Sequence, residues 1–213
     1  MNTYHKIQNV FLRDPETKYK TLLEGQYAKP EFEYLKDNEW VFTEKVDGMN
    51  IRIQFNGELS YKGKTDNAQL HRDLVQRLHD LFDSKLSLFK ENFVAPEGKE
   101  TAVCFYGEGY GAGIQKGGCY RPDKDFVLFD IKIGDWWLQR KDVENVAEKF
   151  EIDVVPVVGI GSLSKAVGMT RYSFKSRWGD FSAEGLVCRP STELVCRNGK
   201  RVITKIKYKD FRK

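Results

Sequence analysis

An Asn-Gly dipeptide between two short alternating runs is the feature that most constrains the fold. Met49–Phe55 alternates apolar and polar side chains, Asn56-Gly57 follows, and Glu58–Lys62 forms the second run. Asn-Gly is a preferred two-residue connection of a β-hairpin because both residues tolerate positive φ. The same arrangement recurs in residues 194–208 around Asn198-Gly199. The chain therefore requires antiparallel sheet near both of these turns.

Apolar periodicity predicts the elements between the two hairpins. Leu70, Leu74 and Leu78 recur at helical spacing, which predicts a helix over Asn67–Phe82. The other predicted elements are helices over Asp142–Phe150 and Ser164–Arg177, strands over Trp40–Thr43, Thr101–Tyr106, Phe126–Ile133 and Val154–Val158, and a second hairpin of Leu194–Arg197 with Lys200–Tyr208. Hairpins mixed with a few helices indicate an α+β fold with antiparallel sheets flanked by helices, not a regular βαβ array.

Length and composition narrow the class of protein. The 213 residues are 40% hydrophobic and 31% charged, which is typical of a single globular domain over residues 1–213. No run approaches the roughly 20 apolar residues of a membrane span, and the first residues contain no apolar signal core. The four cysteines form no C-x-x-C pair, so we expect no structural zinc, reduced thiols and a cytoplasmic location.

Positive charge is concentrated at the end of the sequence. The net charge is +4, yet residues 197–213 contain eight basic residues against one acid. Such a segment suits phosphate or nucleic acid, and it equally suits a solvated strand face. Near the start, Tyr4, Arg13, Lys18 and Lys20 could contact nucleic acid, but a solvated surface is the favoured interpretation.

Five short motifs in order carry the functional signal. The first is Glu44-Lys45-Val46-Asp47-Gly48, in which a lysine ends a strand and Asp-Gly turns into the first hairpin. The other four are Phe105–Glu108, Phe126–Ile131, Glu184–Val187 and Lys205–Lys207. Together they resemble the covalent nucleotidyltransferases, which include the polynucleotide ligases and the mRNA capping enzymes. Glu44 and Asn50 make the sequence most similar to ATP-dependent RNA ligases of the RNA ligase 2 type.

The chemistry of a lysine nucleophile agrees with the resemblance. An amine attacks phosphorus only when neutral, and a free lysine with a pKa near 10.4 is rarely neutral at pH 7. Neighbouring cations disfavour a second positive charge. Lys205 and Lys207 lie two residues apart, so on a strand both face the same way and could act on Lys45 and on a triphosphate.

The resemblance implies a role for each motif residue. Lys45 would attack the α-phosphate of ATP, release pyrophosphate and hold AMP. Glu184 would position Mg²⁺ or Mn²⁺ through its water shell. The catalytic residues would be Lys45, Glu184, Lys205 and Lys207; the nucleotide would contact Glu44, Asn50, Lys64, Glu108 on the ribose and Phe129 on adenine, with Lys205 and Lys207 on the phosphates. Phe126 and Phe129 point to opposite faces, so one of them is expected in the core.

The implied reaction is ligation of RNA. AMP would pass to a 5′-phosphate end, and a 3′-hydroxyl would then expel it. The implied partners are RNA ends or a nicked duplex, with RNA repair as the expected role and no membrane. Alternatives are a minimal ATP-dependent DNA ligase, a capping guanylyltransferase that uses GTP, and a nucleic-acid-binding module with the same fold.

Two departures from the family pattern matter. Lys64 stands where the family often has an arginine after the first hairpin, and lysine cannot make bidentate contacts. Only six residues follow Lys207, which leaves no room for a C-terminal oligonucleotide-binding or helical domain. The implied architecture is a nucleotidyltransferase (ATP-grasp-like) domain alone, and the first 44 residues carry no family motif.

Overall fold

Helices and strands are described for residues 3–94 and 101–212 of this computed structural model. The strands are β1 Gln8–Asn9, β2 Phe11–Arg13, β3 Leu22–Tyr27, β4 Trp40–Glu44, β5 Met49–Phe55, β6 Leu59–Gly63, β7 Val103–Gly111, β8 Lys124–Ile133, β9 Trp136–Trp137, β10 Val157–Gly161, β11 Gly185–Pro190 and β12 Thr204–Lys207. The helices are α1 Pro30–Tyr34, α2 Arg72–Phe82, α3 Leu86–Phe93, α4 Arg140–Lys149 and α5 Leu163–Arg171.

The chain divides into two compact units. The first unit comprises residues 1–4 and 47–155, and the second comprises residues 5–46 and 156–213, as far as they are described. Each unit contains a five-stranded sheet and a separate hydrophobic core. Antiparallel sheets flanked by helices confirm the predicted α+β class. Among the described residues, every helix falls short of the length and apolar character needed to cross a membrane.

The sheet of the first unit has the strand order β6-β5-β7-β8-β9 and is antiparallel throughout. Strands β5 and β6 pair from Ile51 with Gly63 to Phe55 with Leu59, and Gly57 in their turn has a φ of 94°. The Asn-Gly hairpin predicted here is confirmed. Helix α2 buries Leu74, Leu78 and Phe82 in the core of this unit.

The sheet of the second unit has the order β1-β12-β11-β4-β10. Strand β1 runs parallel to β12, and the other pairs are antiparallel. Strand β4 lies between β10 and β11, and its Trp40 and Phe42 are fully buried. Helix α5 contributes Leu163 and Ala166 to the same core. The two distant segments of this unit therefore meet in one sheet.

Two of the helices are shorter in the structure than the sequence predicted. Helix α2 begins at Arg72 and not at Asn67, because Leu70 packs against the core from a segment that is not helical. Helix α5 ends at Arg171, and Ser173 adopts a φ of 65° that a helix cannot continue through. Helices α1 and α3 have no counterpart among the predictions. Apolar spacing thus located core positions better than helix ends.

The second predicted hairpin is wrong in its strands and right in its turn. Val195 bridges Arg201, and the Cys196 N–H donates to the Lys200 carbonyl at 2.7 Å around Asn198-Gly199. Leu194–Arg197 is not a strand, however, and β12 begins only at Thr204. Its antiparallel partner is β11, because this register buries Ile206.

Candidate active site

Lys45 directly follows β4, which is an inner strand of the sheet in the second unit. Glu44 is its last residue and pairs with Leu186 of β11. The Lys45 N–H then donates to the Gly185 carbonyl at 2.9 Å. The backbone that leads into Lys45 is thereby fixed by β11, which begins directly after Glu184.

The Glu184 carboxylate bridges two lysines. Its Oε2 atom accepts from Lys45 Nζ at 2.6 Å, and its Oε1 atom pairs with Lys207 Nζ at 2.8 Å. All three side chains are mostly buried, with exposed fractions of 13% for Glu184, 21% for Lys45 and 20% for Lys207. Burial acts to raise the pKa of the Glu184 carboxyl, but both lysines outweigh burial and lower this pKa below its usual value.

Lys205 lies two residues before Lys207 on the same strand and completes a group of three lysines. Burial, together with the charges of Lys207 and Lys45, lowers the pKa of Lys205 to about 8, although Glu184 opposes the shift. Three amines thus share the charge of one carboxylate. A site with excess positive charge and little water favours a polyanionic ligand.

Glu44 is buried beside this group and is held by the backbone. Only 1% of it is exposed, and its Oε2 accepts from the Arg177 N–H at 2.8 Å. Burial raises the pKa of the Glu44 carboxyl, and this hydrogen bond opposes the shift. In the structure, Glu44 is hydrogen-bonded to the segment that follows α5. Its contact with the nucleotide stays a prediction.

The first unit contains the remaining nucleotide-contact candidates on adjacent strands. Asn50 of β5 lies opposite Glu108 of β7 in the sheet register. The Oδ1 atom of Asn50 is buried and accepts no hydrogen bond from the described residues. A Cβ on Gly48 would lie 2.3 Å from the Gly109 carbonyl oxygen, so this motif position requires glycine for steric reasons. A ligand hydroxyl or amine would satisfy the Asn50 oxygen.

The two aromatic candidates of β8 differ in burial. Phe126 is 2% exposed and packs against Phe82 in the core, with 5.6 Å between ring centroids. Phe129 is half-buried and contacts Tyr4 edge-on at 5.0 Å. Phe126 is therefore the core member of the pair. Stacking of Phe129 on adenine stays a prediction, as does the role of Lys64, which is exposed directly after β6.

A divalent cation has to be held here mainly by ligand oxygens. No group of three or more His, Cys, Asp or Glu side chains in the described ranges could hold a metal ion. Mg²⁺ commonly keeps several waters and binds one or two carboxylates together with substrate phosphates. The Glu184 carboxylate, paired with Lys45 and Lys207, fits this kind of site.

Several residues of the site carry no sequence signal. The Arg177 N–H that binds Glu44 is 133 residues away along the chain, and Lys6 lies close enough to Lys205 to lower its pKa. In the first unit, the Tyr120 hydroxyl accepts from the Asp47 N–H at 3.1 Å. These contacts depend on the order of strands in the sheets and on packing between segments that are distant in the sequence, which no local sequence pattern encodes.

The basic segment at the end of the chain is not a uniform solvated face. Lys207 binds Glu184, and Arg201 is buried and paired with Glu193 at 3.0 Å. Arg212 lies over the Tyr208 ring at 4.6 Å. Lys213, the last of the eight basic residues, lies outside the described residues. The solvated interpretation of Tyr4 was also wrong, since it is 8% exposed and donates to Asp130 at 2.5 Å.

A family model described as RNA ligase matches residues 38–207 of this chain. No curated protein matches the sequence. Among solved structures, a Naegleria gruberi RNA ligase variant with ATP and Mn is similar over 97% of this chain and 56% of its own, at 16% identity and a TM-score of 0.69.

Two further structures of the same Naegleria gruberi ligase are similar. The ligase with PPi and a variant with AMP and Mn each match at 16% identity and a TM-score of 0.65, over 97% of this chain and 58% of theirs. The chain thus spans a little over half the length of these relatives. At this identity the likeness shows the fold, and the predicted nucleotidyltransferase fold is confirmed.

Proposed function

Because the chain belongs to the RNA ligase family, we propose that it is an ATP-dependent RNA ligase that joins 3′-hydroxyl and 5′-phosphate ends. The observation that carries the proposal is the Glu184 carboxylate between Lys45 at 2.6 Å and Lys207 at 2.8 Å. This cluster lies within the matched residues and contains a nucleophile, a proton acceptor and a phosphate-binding cation. These are the groups that the first half-reaction needs.

In the first step, the Lys45 amine forms a bond to the α-phosphorus of ATP and the bond to pyrophosphate breaks. The amine must lose its proton before attack, and the Glu184 oxygen at 2.6 Å is within proton-transfer reach. Until ATP arrives, this carboxylate stabilises the ammonium form. Lys205 and Lys207 bind the phosphates and offset the charge that builds on the leaving pyrophosphate.

A divalent cation belongs to the same proposal. Glu184 would hold Mg²⁺ or Mn²⁺ through water, and the cation would supply charge neutralisation on the phosphate oxygens. The related Naegleria gruberi structures contain ATP and Mn, AMP and Mn, or PPi. ATP is the substrate of the proposed step, AMP the transferred group and PPi the product, so these related structures support the assignment.

Recognition of the nucleoside falls to the first unit in this proposal. Glu108 binds the ribose, and the unfilled Asn50 oxygen accepts from the nucleotide. Phe129 is half-buried whereas Phe126 is buried, so Phe129 is the member of the pair proposed to stack on adenine. Lys64 would contact the nucleotide as a single charge, since a lysine cannot form two parallel hydrogen bonds.

The later steps transfer AMP to a 5′-phosphate end and expel it by attack of a 3′-hydroxyl. Covalent storage on Lys45 divides one condensation into easier steps. The family match favours RNA over DNA as the substrate, and repair of RNA breaks is the proposed role. Residues 1–213 would act as one nucleotidyltransferase domain. The four cysteines are free thiols, which suits a reducing compartment such as the cytoplasm.

The first experiment is transfer of radiolabel to the protein. The chain is incubated with Mg²⁺ and either α-³²P-ATP or α-³²P-GTP and is resolved on a denaturing gel. Lys45→Ala is expected to abolish labelling, because the proposed phosphoramidate forms on its amine. Lys141→Ala, an exposed lysine of helix α4, is the matched control and should label like the wild type.

Each outcome discriminates among the candidate functions. Label from ATP that requires Lys45 supports the ligase. Label from GTP alone assigns the protein to the capping class instead. No label, combined with failure to seal pre-adenylated RNA, leaves the binding module. Pre-adenylated strands of RNA and of DNA, supplied in parallel, separate an RNA ligase from a minimal DNA ligase.

A further inference from the structure

A cavity in the second unit adjoins the phosphate-binding lysines. It has a volume of about 520 Å³, and residues 6–28 line much of it together with Lys205, Lys207 and Lys209. The family match begins only at residue 38, so the N-terminal wall of this cavity lies outside the matched segment. No nucleotide-contact role has been assigned to that wall.

Strand pairing brings the two walls together. Strand β1 runs parallel to β12, with Asn9 opposite Lys205, and the Val10 N–H donates to the Lys205 carbonyl at 3.2 Å. Lys6 precedes β1, lines the same cavity as Lys205 and lies close enough to Lys205 to lower its pKa. A row of cations is assembled from segments that are about 200 residues apart in the sequence.

The positive charge of the cavity is largely uncompensated. In the described part of the chain, no carboxylate pairs with Lys6, Lys205 or Lys209. Arg13 is different, because its guanidinium binds Asp210 at 2.7 Å and the Tyr19 carbonyl at 3.2 Å. Arg13 therefore stabilises the wall of the cavity, and Lys6 and Lys209 are left for an anionic ligand.

An exposed aromatic ring stands at the same cavity. Tyr19 is 63% exposed although it lines the wall, and its N–H donates to the Asp14 carbonyl at 2.9 Å. Its φ of 61° is unusual for a tyrosine, and such a strained conformation persists only where neighbouring contacts hold it. The hydrogen bonds of Asp14 and Arg13 hold it here. Lysines beside an exposed aromatic ring are the usual elements of a single-strand nucleic-acid site.

We propose that this cavity binds a polynucleotide strand, with Lys6 and Lys209 on its phosphates and Tyr19 stacked on a base. The inference rests on the proposed function, since it places the strand to be joined beside the lysines that hold the phosphates of ATP. It extends that function by assigning substrate binding to residues 6–28.

Equilibrium binding to the full chain tests the cavity. The probe is a 5′-phosphorylated single-stranded RNA of roughly 12 nucleotides with a 3′ fluorophore, within the usual site size. At salt concentrations of about 50 to 200 mM, the double variant Lys6→Ala/Lys209→Ala should bind this RNA with a Kd at least tenfold higher than that of the wild type. The slope of the logarithm of affinity against the logarithm of salt concentration should become shallower by about 1.4, because each lost phosphate contact on a single strand contributes about 0.7.

Matched variants separate charge from stacking. Lys90→Ala/Lys141→Ala removes two exposed lysines of α3 and α4 and should stay within twofold of the wild type. Tyr19→Ala should weaken RNA binding without changing the salt slope, and Tyr19→Phe should restore affinity. A cavity variant that behaves like the Lys90 and Lys141 control overturns the proposal.

Binding of ATP and of pyrophosphate is the control for RNA binding, since both molecules also carry phosphates. Their affinities are measured by calorimetry on the same variants. If the double variant loses affinity for ATP or pyrophosphate as strongly as for RNA, the cavity serves the nucleotide and the strand proposal fails. Selective loss of RNA binding supports it.

The labelling experiment keeps the two proposals distinguishable. A chain that fails to take label from ATP, but loses RNA binding in the double variant, contradicts the proposed function and retains the cavity assignment. A chain that labels on Lys45 but binds RNA equally well in both double variants contradicts the cavity assignment alone.

Discussion

The chemistry of the site depends at the residue scale on one carboxylate among three amines. Glu184 binds Lys45 and Lys207, and Lys205 adds a third positive charge in range of both. Removal of one partner from a buried ion pair costs more than the pair itself contributes, because the remaining charge stays desolvated. ATP phosphates would relieve this imbalance, since they supply the negative charge that the protein lacks here.

The lowered pKa of Lys205 makes ATP affinity depend on pH. In the free chain this amine has a pKa of about 8 and loses its charge as the pH rises through that value. Bound phosphates favour the ammonium form, so ATP binding above pH 8 must take up a proton. We predict that affinity is flat below about pH 8 and falls above it by up to tenfold per pH unit.

Calorimetry with α,β-methylene ATP measures this effect without covalent reaction. The guanidinium of Lys205→Arg stays protonated throughout this range. This variant should therefore keep a flat profile between pH 7 and 9.5, roughly the span over which a lysine with the lowered pKa loses its charge. A wild-type profile as flat as that of Lys205→Arg would show that Lys205 does not bind the phosphates.

At the scale of elements, the close approach of β11 and β12 positions the Glu184 and Lys207 side chains. A Cβ on Gly185 would lie 2.0 Å from the Ile206 carbonyl oxygen, a separation that real Cβ atoms do not adopt. Gly185 directly follows Glu184 and pairs with Lys207. The glycine therefore lets the two strands bring the carboxylate and the ammonium group within 2.8 Å.

A methyl group at this contact should destabilise the strand pair. We predict that Gly185→Ala lowers the free energy of unfolding by about 1–3 kcal/mol, because the backbone must move to accept it. Urea denaturation followed by circular dichroism measures the loss. The variant should also label more slowly with ATP, since the distance between Glu184 and Lys207 changes with the strands.

Gly168 in helix α5 is the matched control in the same unit. A Cβ there meets nothing within 4 Å, so alanine fits without strain. Gly168→Ala should stabilise the protein by about 0.5–1 kcal/mol through helix propensity. Equal destabilisation by both substitutions would contradict the argument from the close contact.

The path of the chain matters at the scale of the whole molecule. The larger segment of the first unit, residues 47–155, is inserted between the two segments of the second, since the boundaries fall after Val46 and after Val155. Strand β4 comes from the first segment of the second unit, whereas both of its partners, β10 and β11, come from the last. The sheet that carries Lys45 therefore cannot form until residues 47–155 bring the chain back.

This connectivity predicts one cooperative unfolding transition, as expected of a single domain. Phe105→Ala in the core of the first unit and Phe42→Ala in the core of the second should each cost about 3–5 kcal/mol. Scanning calorimetry should show one endotherm that both variants shift downwards. Two endotherms, with each variant shifting a different one, would mean that the units are separate domains.

Local patterns predicted the elements whose signals are complete within a few residues. The Asn56-Gly57 hairpin, the core face of α2 and the α+β class were confirmed because turn chemistry and apolar periodicity act over short distances. Helix ends and the pairing of residues 194–208 were wrong, because burial against distant strands decided them. Helix α1, with five residues, is too short to show a period.

The sequence alone determined which residue types are available for the chemistry and in what order they occur. A lysine before Asp47-Gly48, a glutamate before Gly185 and two lysines two positions apart were readable at once. Only the tertiary structure decided that one carboxylate bridges Lys45 and Lys207, that Glu44 faces the Arg177 backbone, and that Lys6 joins Lys205 in a cavity. All of these contacts except the one between Glu184 and Lys207 join residues more than 100 positions apart. Sheet order and burial set such contacts, and the free energy that selects them belongs to the whole fold.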